Sequence, residues 1–235
     1  MKRKTYLIFG ISKGLGKALT QNVPDNTDIV HGISRSKPDY LENSKNVEWI
    51  YADLSNPSRS SEELKRRIGQ NTIDYLIYNV GIWEHNGFSK DYSFDHNSKD
   101  EILNLINTNI SSCILVIQAF IENLKKSESA KIILIGSTWA LDNHNGKEVT
   151  FSATKFALRG ITHSLRENLR DHRIGVSILN LGTLATEEII GSAAENANSK
   201  IPLQDVIQAV KFIISTSNAT CVKEINMPAM KDNNI

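Results

Sequence analysis

A glycine-rich run, Gly10-Ile11-Ser12-Lys13-Gly14-Leu15-Gly16, follows directly on the apolar residues Tyr6 to Phe9 and leads into Lys17-Ala18-Leu19, which have helical character. Glycines at a strand-to-helix turn let the backbone bend sharply and approach a pyrophosphate closely. The first helical turn then aims its N–H groups at the phosphates. Ser12, Lys13 and Leu15 join the three glycines as candidate contacts. The spacing is Gly-x-x-x-Gly-x-Gly rather than the commonest dinucleotide fingerprint, and a tight turn without a ligand is the alternative. Further on, Ile33-Ser34-Arg35-Ser36 closes a second apolar run and carries no carboxylate to accept hydrogen bonds from a free ribose 2'-OH. Arg35, with Lys13 and Lys37, can instead meet a 2'-phosphate through charge-assisted hydrogen bonds. This favours NADP(H) over NAD(H); an ordinary solvated arginine is the competing interpretation.

These residues need a scaffold that brings strand ends together. Short β-rich runs at Tyr6–Phe9, Ile29–Ile33, Val47–Ala52, Tyr75–Tyr78, Ile132–Ile135 and Val176–Leu179, and a weaker one near Ile225, alternate with helical patterns. The alternation predicts an α/β fold: a single Rossmann-like, doubly wound parallel sheet of about seven strands with helices on both faces. One domain is expected over residues 1–230, with 231–235 a polar tail. Leu158, Ile161, Leu165 and Leu169 recur at helical spacing and predict an amphipathic helix. The stretch from Ile102 to Leu124 is helical and unusually apolar, so cover on more than one side, by a second subunit in a homodimer or homotetramer, is expected. Residues 81–99 and 187–200 break the rhythm and are expected to be loops over a site.

Polar residues and glycines recur at the carboxyl ends of successive strands, where ligands bind in an open parallel sheet. They are Asp53-Leu54 after the third, Asn79 and Gly81 after the fourth, Ser137 after the fifth, and Asn180 and Gly182 after the sixth. With Gly10, Gly14 and Gly16, then Asn109, Lys155 and Thr186, this series resembles in order and spacing the motifs of the short-chain dehydrogenase/reductase family, from Tyr6 to about Pro228. The resemblance implies that Asp53 flanks the adenine, Asn79 pins the sheet near the cofactor, Thr186 touches the nicotinamide carboxamide and Lys155 holds the nicotinamide ribose. It also implies hydride transfer between nicotinamide C4 and a carbonyl or alcohol carbon. In such a site Ser137 polarises the oxygen, Asn109 supports a water relay, Lys155 lowers a tyrosine pKa and the tyrosine supplies the proton.

That tyrosine belongs four residues before the lysine, and Phe151 stands there. A benzyl group has no exchangeable proton. The residues leave two main outcomes open: an oxidoreductase with another proton source, or a non-catalytic NADP(H)-binding sensor or partner subunit. A third is hydride transfer or elimination chemistry in which protonation falls on another atom. His144, between Ser137 and Phe151, is a candidate donor because a histidine titrates near neutral pH. His85 is a second, and a water held by Ser137 and Lys155 a third. Ser152 and Thr154 are expected to turn away from Ser137. Tyr78 and Leu181 depart from the family pattern without an expected structural penalty, and a short segment after Thr186 implies an open or small substrate site.

Composition excludes several other classes. The 27 basic and 26 acidic side chains nearly cancel and form no long run, which argues against nucleic-acid and membrane-surface partners and leaves a small-molecule substrate. The two cysteines, Cys113 and Cys221, lie in apolar segments and are expected to be reduced core thiols, with no metal site. The N-terminal apolar stretch is too short for a signal or spanning segment, so a cytoplasmic location is expected.

Overall fold

The computed structural model describes residues 2–142, 144–186 and 199–231. Seven strands form one parallel sheet: β1 Thr5–Phe9, β2 Ile29–Ser34, β3 Val47–Tyr51, β4 Tyr75–Tyr78, β5 Lys131–Ile135, β6 Gly175–Leu181 and β7 Glu224–Met227. Their order is β3-β2-β1-β4-β5-β6-β7, so the chain reverses direction across the sheet between β1 and β4. Phe9 pairs with Ile33 on one side and Tyr78 on the other, while Ile135 pairs with Leu179. This register lines up the carboxyl ends of the strands, and the crevice opens at the β1/β4 reversal.

The strands read as continuous apolar runs because both faces are covered. Leu7, Phe9, Leu76 and Tyr78 point to one face, where α2 (Pro57–Ile68), α4 (Ser112–Leu124) and α5 (Val149–Asn168) pack. Tyr6, Ile8, Tyr75 and Ile77 point to the other, against α1 (Gly14–Asn22) and α6 (Leu203–Ser215). The period of two in the strand side chains divides a single sheet between two cores. The predicted amphipathic helix is α5, with Leu158 fully buried.

The apolar stretch ending at Leu124 begins earlier than expected, at Lys99, and is not a uniform helix. α3 (Lys99–Ile106), N-capped by Ser98 on the Glu101 N–H at 3.1 Å, passes into a π-helical turn at Asn107–Ser111 and then into α4. The extra residue of the π turn rotates the isoleucines off one line. Ile117 is buried, whereas Ile106 and Ile114 are exposed. By length and composition, residues 99–124 could cross a membrane, but Val116, Ile117, Phe120 and Leu124 pack into the sheet-facing core. One cysteine departs from expectation: Cys113 is buried, but Cys221 is exposed, because it lies in the loop entering the edge strand β7 rather than under the sheet.

Candidate functional site

A cavity of about 1380 Å³ opens along the carboxyl ends of the strands. Gly10, Ser12, Lys13, Gly14, Leu15 and Arg35 line one end, and Ser137, Phe151 and Lys155 the other. Asp53, Leu54, Asn79, Gly81, Gly182 and Thr186 lie along its walls. Of the residues singled out by type and spacing, Gly16, Lys37, His85, Asn109, His144 and Asn180 do not line it.

The glycine turn is shaped by backbone demands. Gly10 has φ +80 and its N–H donates to the Ile33 carbonyl at 2.8 Å; Gly14 has φ +52. A Cβ on Gly10 would lie 2.9 Å from the Asn79 carbonyl oxygen, and one on Gly16 would lie 1.8 Å from that of Gly10. Gly16 therefore acts beneath the cavity, letting α1 close against β1. Asn79 Nδ2 donates to the Gly10 carbonyl at 3.2 Å, and the Tyr40 hydroxyl donates to that of Ile11 at 2.8 Å, so the turn is tied from both sides. Thr186 packs over Gly14. At the end of β2, the Trp49 indole N–H donates to Ser34 Oγ at 3.0 Å and Ser34 donates onward to the Ser36 carbonyl, so Arg35 projects from a fixed loop. Asp53 accepts from the backbone N–H and hydroxyl of Ser55, which orients its carboxylate at the cavity wall. This cradle, with Lys13 and Arg35 lining the end nearest β2, fits a nicotinamide dinucleotide.

At the other end, Ser137 Oγ accepts from the Trp139 N–H at 3.2 Å. Lys155 is buried and donates from Nζ to the Ile135 carbonyl at 3.2 Å. Burial pulls its pKa down to about 8, against a smaller opposing influence of Cys113. Phe151 forms part of an aromatic wall: Phe88 lies edge-on to the Phe151 ring at 5.3 Å and to the Trp139 ring at 5.0 Å, and Lys155 Nζ sits 5.5 Å from the Phe151 ring centroid. Asn109, in the π turn and fully buried, accepts from the Ile82 N–H at 2.9 Å and donates to the Ile82 carbonyl and to Thr154 Oγ1. It thus staples the loop after β4 to α5.

His144 is placed differently from the expected donor. Its Nδ1 accepts from the Gly146 N–H at 3.0 Å, while Nε2 pairs with Ser152 Oγ at 3.1 Å, and Ser152 also donates to the Trp139 carbonyl. Both ring nitrogens are committed inside the protein, so His144 braces the loop between Trp139 and α5. His85 is exposed and is held through its backbone N–H on Glu101. Ser152 and Thr154 turn away as expected: Thr154 donates to the Phe151 carbonyl. Tyr78 is fully buried, with its hydroxyl on the Thr108 carbonyl at 2.9 Å and on Ser112. Of the loop expected over 187–200, residues 187–198 lie outside the described residues.

Spacing alone did not reveal two carboxylates. Glu84, 1% exposed, reaches across 66 residues so that its Oε1 accepts from the N–H groups of Thr150 and Phe151, in the first turn of α5. Glu148, also buried, accepts from the N–H groups of Phe88 and Lys147. The first is a helix cap supplied in trans, compensating unpaired donors and the positive end of the helix dipole. Glu84→Ala is expected to lower unfolding free energy by about 2 kcal/mol, read from the midpoint of a urea titration, because two buried donors lose their acceptor. An unchanged midpoint would refute the capping role.

A model of the short chain dehydrogenase family matches residues 4–196. Among curated relatives, the chain is 28% identical over 238 residues to the 3-oxoacyl-(acyl-carrier-protein) reductase FabG of Buchnera aphidicola, covering 92% of this chain and 91% of that one. It is 25% identical over 228 residues to carbonyl reductase family member 4 of Danio rerio, covering 91% and 92%. Among solved structures, the NADP active-site complex of RhlG from Pseudomonas aeruginosa superposes with a TM-score of 0.83 at 18% identity, covering 97% of this chain and 95% of that one. With the seven-stranded sheet, the glycine turn and the cavity at the strand ends, these matches establish that the chain belongs to the short-chain dehydrogenase family of NAD(P)-dependent oxidoreductases.

Proposed function

We propose that the protein is an NADP(H)-dependent carbonyl reductase or alcohol dehydrogenase whose proton reaches the substrate oxygen without a tyrosine at position 151. The observation that carries this assignment is the continuity of one cavity from Arg35 and the glycine turn to Ser137, Phe151 and Lys155. NADPH bound there supplies hydride to a carbonyl carbon. The chain's own residues divide the remaining work. Gly10, Ser12, Gly14 and Leu15 cradle the pyrophosphate, and Arg35 with Lys13 meets the 2'-phosphate. Asp53 flanks the adenine, Thr186 meets the carboxamide, Lys155 holds the ribose and Ser137 polarises the substrate oxygen. Asn109 acts from behind the wall, through Ile82 and Thr154. Phe88, Trp139 and Phe151 form an apolar surface suited to a substrate with an aromatic or aliphatic body. The carbonyl reductase and NADP complex among the similar proteins support this choice.

Arg35→Ala is expected to weaken NADPH binding by roughly 10- to 100-fold while leaving NADH within about threefold, since the lost hydrogen bonds to a charged group go to the 2'-phosphate alone. Fluorescence titration of both cofactors measures it. Equal losses for the two would overturn the NADP(H) preference.

A second possibility, a non-catalytic NADP(H) sensor or partner subunit, draws on Phe151, which puts a ring without an exchangeable proton in the cavity wall. Cofactor titration followed by a ketone and aldehyde panel, with wild type beside Phe151→Tyr, separates the two. Turnover by wild type supports the reductase; tight NADPH binding with turnover only in the variant supports the non-catalytic role.

A further inference from the structure

Among the groups that line the catalytic end of the cavity, Lys155 is placed to do more than hold a ligand. Its side chain reaches the cavity from α5, one turn after Phe151, and is anchored at the Ile135 carbonyl, two residues before Ser137. An ammonium carries three N–H donors. One is used at Ile135, and no other protein acceptor is recorded for Nζ among the described residues. The groups packed around it are uncharged: the Phe151 ring, Gly81, whose Cβ position lies 3.1 Å from Nζ, and the Cys113 thiol, which burial pushes up to about 12. Among the described residues no carboxylate is paired with this amine.

Lys90 and Lys147 also line the cavity as exposed residues, and three further titratable groups near the wall are committed. His144 spends both ring nitrogens on Gly146 and Ser152. Glu84 accepts the backbone N–H bonds of Thr150 and Phe151, and Glu148 those of Phe88 and Lys147, so both carboxylates hold backbone.

We propose that Lys155 is itself the proton donor of the reduction, delivering an ammonium proton to the substrate oxygen polarised by Ser137. The proposal rests on the carbonyl-reductase assignment above. As hydride adds to the carbonyl carbon, the C=O π pair moves onto oxygen. The O–H bond then forms as one N–H bond of the ammonium breaks, leaving a neutral amine. Water entering the open cavity returns the proton. Burial favours this neutral amine: it brings the pKa to about 8, so the group is mostly charged at pH 7 yet gives up its proton far more readily than an exposed lysine.

The test uses Lys155→Arg, Phe151→Tyr and the double variant, with NADPH and benzil, an activated aromatic ketone suited to the Phe88–Trp139–Phe151 wall. Arginine keeps the positive charge and hydrogen bonds but does not release a proton near neutrality. NMR of [13Cε]lysine-labelled protein, with the Lys155 signal assigned by its loss in Lys155→Arg, is expected to show a titration midpoint near about 8. Wild-type kcat/KM is expected to fall as pH rises through that same midpoint. Lys155→Arg is expected to lose about 100-fold or more in kcat, with NADPH affinity within about threefold of wild type, and the double variant to recover much of the rate through the new phenol.

An arginine variant with wild-type kcat, or a pH limb that does not follow the lysine signal, overturns the proposal and leaves carbonyl reduction standing. A rate loss that disappears at saturating NADPH means that Lys155 acts through ribose holding alone, and it also overturns the proposal. Absence of benzil turnover in both wild type and Phe151→Tyr removes the reductase assignment, and the proposal with it.

Discussion

Phe151→Tyr is expected to raise kcat for carbonyl reduction by roughly 10²-fold, the low end of what a positioned acid contributes, because Lys155 already supplies a proton in the wild type. The substitution adds one oxygen to a ring that lines the cavity and is already held by Phe88, Trp139 and the first turn of α5. No backbone change is needed, so the gain should appear in kcat with KM for NADPH nearly unchanged. The Lys155 ammonium, 5.5 Å from the ring centroid, would favour the phenolate and bring the new acid toward neutrality. The descending limb of the pH profile should therefore change shape between wild type and variant. Stopped-flow measurement of NADPH oxidation at saturating ketone gives the comparison directly. A variant no faster than wild type would show that position 151 does not face the reacting oxygen.

The second large effect is a loss. Gly16→Ala places a methyl 1.8 Å from the Gly10 carbonyl oxygen, 2.7 Å from its carbon and 2.8 Å from Asn79 Nδ2. Two of these atoms are backbone in the phosphate-binding turn, and the third belongs to the side chain that ties the turn to β4. The methyl fits only if α1 backs away from β1, which moves the N–H groups of the first helical turn. NADPH affinity is expected to fall by about 100-fold or more, and unfolding free energy by about 3 kcal/mol, as for other overpacked sites. Gly160→Ala provides the internal control. That glycine is exposed on α5 with nothing within 4 Å of its Cβ position, so the same chemical change should stabilise the protein by about 0.5–1 kcal/mol. Calorimetry and cofactor titration of the two variants side by side decide the matter. Similar behaviour in both would mean that close packing at Gly16 is not what the turn requires.

Much of the architecture was legible because it is local. Runs such as Tyr75–Tyr78 and Ile132–Ile135 are apolar at every position, as strands buried on both faces must be, and each is followed within two residues by a chemically informative group. The glycine turn was readable for the same reason: backbone conformations with positive φ select residue type one position at a time. Asn109 could be singled out by its place in the motif series, but the π turn that carries it could not, since the insertion is stabilised by Ile82 and Thr154 from other parts of the chain.

His144 shows the limit most clearly. Its position between Ser137 and Phe151 suggested a donor, yet its rotamer is decided by Ser152, Gly146 and the Trp139 ring, which passes so close to Gly146 that a Cβ there would overlap it at 1.5 Å. Glu84 is the converse case. Nothing in Ile82-Trp83-Glu84-His85 marks a helix cap, because the helix it caps begins 65 residues later. By itself, then, the amino-acid order determined the strand and helix series, the phosphate-binding turn, the charge at the end of β2 and the absence of a phenol at position 151. Folding decided which side chains share the cavity, which histidine nitrogens are already spent, how far Lys155 is desolvated and what holds the start of α5. Those depend on distances between residues far apart in the chain, and only packing of the completed sheet and helices sets such distances.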